Sequence, residues 1–332
     1  MTAPWLAPQL AALLHQRGHA WLLSGPSGLG QFALALALVR AWLCDALLPD
    51  GLGACGHCTA CHAVDVHTHA DLCVLLPEAL ALEFGWPLDE KTQSELDAKK
   101  SRPSREIKVD AVRELVAFTQ RTRSRGATKA VLVYPADRMN AVAANTLLKT
   151  LEEPPGDVKF VLVTDAANRL LPTITSRCQT HAMGWPAAAA ARDWLVAQGV
   201  DNPATAALCL RASGGRPGDA LRLARAGFDA TRWTTLPKQV ARGDVAALRD
   251  FTPAQAVDAL QKLCHDLLAA GCNAPTRYFD AADLPAARSF TALTDWAKAL
   301  FETSRTVEHP FHAPLMLEAL VNEASRAISS SA

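Results

Sequence analysis

A glycine-rich turn stands near the start of the chain, as Gly25-Pro26-Ser27-Gly28-Leu29-Gly30-Gln31-Phe32. It lies between an apolar run, Trp21-Leu22-Leu23-Ser24, and a helical stretch from Ala33 to Trp42. Strand, turn and helix start make an anion-binding frame, because the first N–H groups of a helix lack internal partners and face the turn. Gly25 and Gly30 have the spacing of a phosphate-binding loop, with Gly28 between them. The side chains that would act on a phosphate are different. Gln31 occupies the place of the lysine that neutralises the β and γ phosphates, and Phe32 that of the Ser or Thr that holds Mg²⁺. The third apolar run ends in Tyr134-Pro135, where acidic residues would hold the metal and orient water. Asp137 follows two residues later and reads as a turn or helix-cap residue. The pattern predicts a loop that does not hydrolyse ATP and leaves open whether its backbone binds nucleotide.

Cys55, Cys58 and Cys61 recur at spacings of three, with Cys44 eleven residues upstream. Thiolates at this spacing in a glycine-containing knuckle face one ion. Four of them close a tetrahedral zinc site with no open position, which makes it structural. His57, His62, His67 and His69 compete with Cys44 as ligands, and the plain alternative is a loop of unligated thiols. Further on, Ser176-Arg177-Cys178 follows a strand and a short helix and precedes a strand candidate at Thr180 to Met183. A guanidinium on the rim of an α/β domain can reach a phosphate on a neighbouring subunit. Its alternative is a local surface ion pair.

These residues need a scaffold. Short apolar runs at 21–24, 72–76, 130–134 and 160–164 suit strands buried on both faces of a parallel sheet. Ala141, Ala144, Leu147, Leu148 and Leu151 recur at helical spacing between the last two, which makes a βαβ unit. After Trp185-Pro186 the texture becomes helical and rich in Ala and Leu. Helices are expected from Pro186 through Leu195, at 219–226, along the Val257, Leu260, Cys264, Leu267 stripe, and around 286–303 and 313–328. The predicted organisation is an α/β domain over 1–183, a small helical domain over 184–228 and a larger helical domain over 229–332. The stretch Pro77 to Arg105 is polar and pattern-poor and reads as a mobile surface insertion.

The 332 residues are half hydrophobic and 20% charged, with 33 basic and 33 acidic side chains. That balance excludes wholesale disorder and a protein that holds nucleic acid by charge over its whole surface. Lys99, Lys100, Arg102, Arg105 and the Arg121 to Lys129 stretch form a local basic set; a solvated charged face is the simpler reading beside contact with a DNA backbone. No apolar run reaches the roughly 18 residues of a membrane span. Met1 to Gln9 lacks the layout of a secretory signal, and nine unevenly spread cysteines fit a reducing, cytoplasmic compartment.

Asn145-Thr146-Leu147-Leu148-Lys149-Thr150-Leu151-Glu152-Glu153-Pro154-Pro155, followed by Ser176-Arg177-Cys178, resembles the bacterial clamp-loader branch of the AAA+ proteins. The cysteine module after the loop helix is another feature of that branch. The resemblance spans the chain and is strongest from Ile107 to Cys178. It implies an AAA+ α/β domain with an inserted zinc module, a helical lid and an all-α collar. The motor subunit of that branch keeps the loop lysine and an Asp-Glu pair, so this chain is similar to its non-motor members. By resemblance, Arg177, with Ser176 beside it, is an arginine finger acting in trans on ATP in the adjacent motor subunit. Cys44, Cys55, Cys58 and Cys61 are then the ligands of structural zinc, and the degenerate loop at Gly25, Gly28 and Gly30 hydrolyses no ATP. Gly218 stands where active members carry a phosphate-sensing arginine, and Arg216 is not given that role. Implied partners are the motor (gamma/tau) and delta subunits, the sliding clamp and primer-template DNA, within a DNA polymerase III holoenzyme during replication. Two rival functions are an active ATPase motor of the same fold and a zinc-dependent nucleic-acid-binding module.

Overall fold

A computed structural model describes residues 3–46, 48, 53–98, 102–124, 126, 128–287, 289–307 and 312–330. The chain divides into two compact units, Met1–Ala190 and Ala191–Ala332. The first contains, in order, α1 (Leu6–Leu14), β1 (Ala20–Ser24), α2 (Gln31–Leu43), α3 (Thr59–Asp65), β2 (Leu72–Leu75), α4 (Glu78–Phe84), α5 (Glu90–Asp97) and α6 (Val109–Gln120). It continues with β3 (Lys129–Val133), α7 (Ala141–Glu152), β4 (Val158–Thr164), α8 (Pro172–Thr175) and β5 (Gln179–Ala182); α9 (Ala188–Ala197) carries the boundary.

The five strands form one parallel sheet in the order β2-β3-β4-β1-β5. Leu22 is in register with Leu162 of β4 and Thr180 of β5, and Val131 with Phe160. Alternate side chains serve opposite faces, so both sides of the central strands must be covered. Leu22, Val131, Val133, Phe160 and Leu162 join one core with Val112 and Leu115 of α6, Leu147 and Leu151 of α7 and Ile174 of α8. Trp21, Leu23, Leu132, Val161 and Val163 are equally buried on the alternate positions, and α2 packs across β3 and β4. The sequence expectation of a parallel α/β sheet is met. A parallel sheet also gathers the ends of β1, β3 and β4 on one edge, where α/β folds place their sites.

Two expectations for this unit change. The stretch 77–105 contains α4 and α5, and Asp89 caps α5 by accepting from the Thr92 N–H at 2.9 Å. These helices are short and bury little, which is why periodicity did not reveal them. Lys129 belongs to no solvated charged face: it is 2% exposed on β3, and its Nζ donates to the Phe118 and Arg121 carbonyls at 2.6 and 2.7 Å. Burial lowers its pKa. Arg102 and Arg121 to Arg123 are exposed, while Lys99, Lys100 and Arg125 lie outside the described residues.

The second unit is helical. It contains α10 (Pro203–Ala212), α11 (Pro217–Arg225), α12 (Ala230–Ala241), α13 (Pro253–Gly271), α14 (Phe290–Thr306) and α15 (Ala313–Ser329). One hydrophobic cluster joins Leu195, Cys209, Leu210 and Leu221, and a larger one joins α12 to α15 through Leu236, Leu263, Trp296 and Val321. Asp266, wholly buried, accepts from the backbone N–H groups of Arg277, Tyr278 and Phe279 at 2.9, 2.7 and 2.7 Å. Arg211 of α10 donates to the Phe279 carbonyl at 2.6 Å. Backbone donors thus satisfy a carboxylate that would otherwise be costly to bury.

Candidate functional site

The glycine-rich turn leaves the end of β1 and enters α2 through Gly30, whose φ of 97° favours glycine. A Cβ at Gly30 would also lie 3.1 Å from Leu6 Cδ1, and one at Gly25 would lie 2.8 Å from Met183 Cβ. Neither glycine could carry a side chain without displacing a packed neighbour. Gln31 is 3% exposed, and its Nε2 donates to the carbonyls of Gly25 at 2.9 Å and Pro26 at 2.6 Å, and to Asp165 Oδ1 at 3.0 Å. A neutral amide therefore ties the loop to the end of β4.

Phe32, next along α2, meets Phe84 of α4 and Tyr134 at the end of β3. The ring centroids are 4.9 Å apart for Phe32 and Phe84, 5.2 Å for Phe32 and Tyr134, and 6.4 Å for Phe84 and Tyr134. Two of these rings hold the positions from which a nucleotidase would ligate Mg²⁺, and the third comes from the segment expected to be a mobile insertion. Such packing is largely apolar; it supplies no carboxylate and no cation, and Phe32 and Phe84 bring no oxygen. Asp137 lies in the single 3₁₀ turn Ala136–Arg138, as the turn reading expected, and caps no helix: its Oδ1 accepts from Thr164 Oγ1 at 2.6 Å, and Thr164 Oγ1 in turn accepts from the Ala166 N–H at 3.0 Å. Both residues serve the end of β4.

The cysteine cluster sits between α2 and α3. The Sγ atoms of Cys44, Cys55, Cys58 and Cys61 all lie within 4.8 Å of one another. Cys44 and Cys58 are 3.8 Å apart, Cys55 and Cys61 4.0 Å, and Cys61 and Cys44 3.6 Å. A tetrahedral zinc with Zn–S bonds of about 2.3 Å places its sulfurs about 3.8 Å apart, so the donor set fits the ion. Backbone N–H groups of Cys55, Cys58 and Cys61 point at Cys44, Cys55 and Cys58 sulfurs at 3.3, 3.4 and 3.4 Å. Those bonds favour thiolates, and the Cys61 N–H leads in lowering Cys58 to about 6, whereas burial pushes Cys61 up to about 12. All four sulfurs could be thiolates at this separation only with a cation among them. The cluster can therefore hold a metal ion such as zinc. Cys44 belongs to it, whereas His67 stacks on Trp86 and its Nδ1 donates to the Gly85 carbonyl, and His69 Nδ1 accepts from the Asp71 N–H.

Arg177 lies on the turn after α8, fixed by backbone bonds from Ser176 N to Pro172 O at 3.0 Å and Arg177 N to Ile174 O at 3.1 Å. Cys178 anchors the turn against the sheet core, where burial pushes its thiol up to about 12. Arg177 Nη1 donates to the Thr173 carbonyl at 2.7 Å, and Nη2 pairs with Glu152. Arg216 pairs with Asp219 at 2.6 Å at the start of α11, where Gly218 also lies. The sequence reading found the loop, the cluster and the arginine. It did not find the partners Gln31–Asp165, Phe84 and Glu152, because each contact joins segments far apart in the chain.

A sequence model of the family described as DNA polymerase III, delta subunit, matches residues 9–184. The DNA polymerase III subunit delta' of Pseudomonas aeruginosa is 43% identical over 209 residues, covering 63% of this chain and 56% of that protein. The Escherichia coli subunit delta' is 35% identical over 235 residues, covering 69% of this chain and 62% of that protein. The chain thus spans about three fifths of the length of these curated relatives. A solved gamma subunit-related protein from Thermotoga maritima aligns at a TM-score of 0.48 with 16% identity, covering 97% of this chain and 99% of that one. The chain belongs to the DNA polymerase III delta' family.

Proposed function

We propose, from that membership and from the residues beside the glycine-rich turn, that the chain is a non-hydrolysing subunit of a bacterial clamp loader in DNA polymerase III. The observation that supports the reading is the set of contacts made by Gln31, Phe32, Phe84 and Tyr134 beside the glycine-rich turn. Phosphoryl transfer needs a cation against the phosphates and a metal held by oxygen ligands such as a hydroxyl and a carboxylate; Gln31 brings no cation, Phe32 has no oxygen, and Tyr134 stands where a carboxylate would be. What this chain contributes to ATP chemistry is then Arg177, acting on ATP bound by an adjacent motor (gamma/tau) subunit. A finger of this kind contributes about 10³–10⁵ in rate in related enzymes.

In this reading, 1–183 is the AAA+ domain, with Cys44, Cys55, Cys58 and Cys61 holding structural zinc that stiffens the loop between α2 and α3. The helices over 184–228 form a lid and those over 229–332 a collar that joins the motor and delta subunits. The assembly would place the sliding clamp on primer-template DNA in the cytoplasm. Among the described residues no helix is long and apolar enough to cross a membrane. A complex reconstituted with motor and delta subunits, clamp and primed DNA tests the trans role. Arg177→Ala is expected to assemble normally and to turn over ATP markedly more slowly; unchanged turnover would reject the role.

A further inference from the structure

The motif from Asn145 to Pro155 takes no part in the glycine-rich loop or the cysteine cluster, yet its last helical residue meets Arg177. α7 buries Leu147 and Leu151 in the sheet core and leaves Glu152 exposed at its C-terminal end. A carboxylate there opposes the helix dipole, whose C-terminal end is itself negative. The compensating charge is the guanidinium, brought over by the turn after α8. Arg177 consequently lies folded against its own domain, with 28% of its side chain exposed, while Glu152 remains 49% exposed. The pairing is incomplete: Arg177 Nε is buried with no hydrogen-bond partner among the described residues.

We propose that Glu152 is a positioning residue that parks Arg177 while no neighbouring phosphate is within reach, its carboxylate standing in for phosphate oxygens. The proposal rests on the trans role given above. A carboxylate and a phosphate both match the guanidinium fork, so they compete for one cation. The phosphate wins because it carries more charge and because an exposed ion pair is weak. Release from Glu152 is therefore a cost on nucleotide engagement in the neighbouring site. It leaves the chemical step alone, since the engaged finger is the same in either case.

The reconstituted complex separates these effects. Glu152→Gln keeps the shape of the side chain, removes its charge and relieves the clash with the helix dipole, so α7 stays folded. The expected result is a KM for ATP lowered by about 1.5- to 5-fold, the range of an exposed ion pair, with kcat unchanged. The difference shrinks at high salt, which screens exposed charges. In an Arg177→Ala background, the same substitution leaves KM where Arg177→Ala has set it, because the two residues act as one pair. An unchanged or raised KM in Glu152→Gln, or an equal fall in the Arg177→Ala background, overturns the parking alone. Unaltered turnover in Arg177→Ala overturns the trans role, and the parking with it.

Discussion

Replacing Gln31 by alanine isolates what holds the glycine-rich loop closed. The Gln31 amide has two hydrogens to distribute over three acceptors, the Gly25 and Pro26 carbonyls and Asp165 Oδ1. That makes about two hydrogen bonds' worth of interaction, one of them to a carboxylate. A neutral bond contributes about 1 kcal/mol net and one to a charged group about 1.5–3 kcal/mol. Alanine returns a few tenths of a kcal/mol through better helix propensity at the start of α2. The expected loss is about 2–4 kcal/mol, concentrated in the loop. Hydrogen exchange read peptide by peptide suits a change of this kind, because a chain of two compact units need not unfold in one step. Amides around residues 24–34 should exchange about 30- to 1,000-fold faster, at about 1.4 kcal/mol per tenfold, with little change in the second unit. A loss below about 0.5 kcal/mol, in the range of an ordinary surface substitution, would refute the idea that the amide acts as the loop's internal ligand.

Two further outcomes follow from the cysteines and from Lys129. Isolated protein should contain about one zinc per chain. Alkylation near neutral pH should modify the exposed Cys272 first, because burial holds Cys73 and Cys209 at about 11 and Cys178 and Cys264 at about 12. A strong chelator should then add Cys44, Cys55 and Cys58 to the reactive set, with the buried Cys61 slower; mass spectrometry showing them modified before chelation would reject the metal site. Lys129 has a pKa lowered by burial from 10.5. Between its folded pKa and 10.5 the unfolded chain binds more protons, so stability rises with pH across that window, and the penalty is fully present below it. Lys129→Met should flatten the rise in urea midpoint as the pH approaches 10.5 from below; parallel curves would show that this lysine contributes nothing to it.

The parallel sheet was legible because strands covered on both faces must be apolar almost throughout, as 160–164 and 130–133 are. Glycine and cysteine spacing was legible because it is local: Gly25 to Gly30 sets one turn, and Cys55 to Cys61 one knuckle. Phe84 illustrates the opposite case. Its helix is seven residues long, its neighbours in sequence are polar or small, and its meaning lies in two rings that arrive from α2 and β3. Lys129 was misplaced for a related reason. Its type and its basic neighbours suggest solvent, yet a strand residue beneath α6 can bury an ammonium once two carbonyls accept its protons. Glu152 was visible as part of a motif, but its role depends on an arginine 25 residues away.

The central claim is that the glycine-rich loop keeps the spacing of a nucleotide site without the cation that would hold the phosphates or the ligands that would hold the metal. Thermal unfolding of the isolated chain with and without millimolar Mg-ATP, together with phosphate release in the same samples, tests it most directly. The account predicts superimposable melting curves and no phosphate. A ligand present at 100 times its Kd would stabilise the native state by about 2.7 kcal/mol; an upward shift of that size, or magnesium-dependent phosphate release by the chain alone, would contradict it.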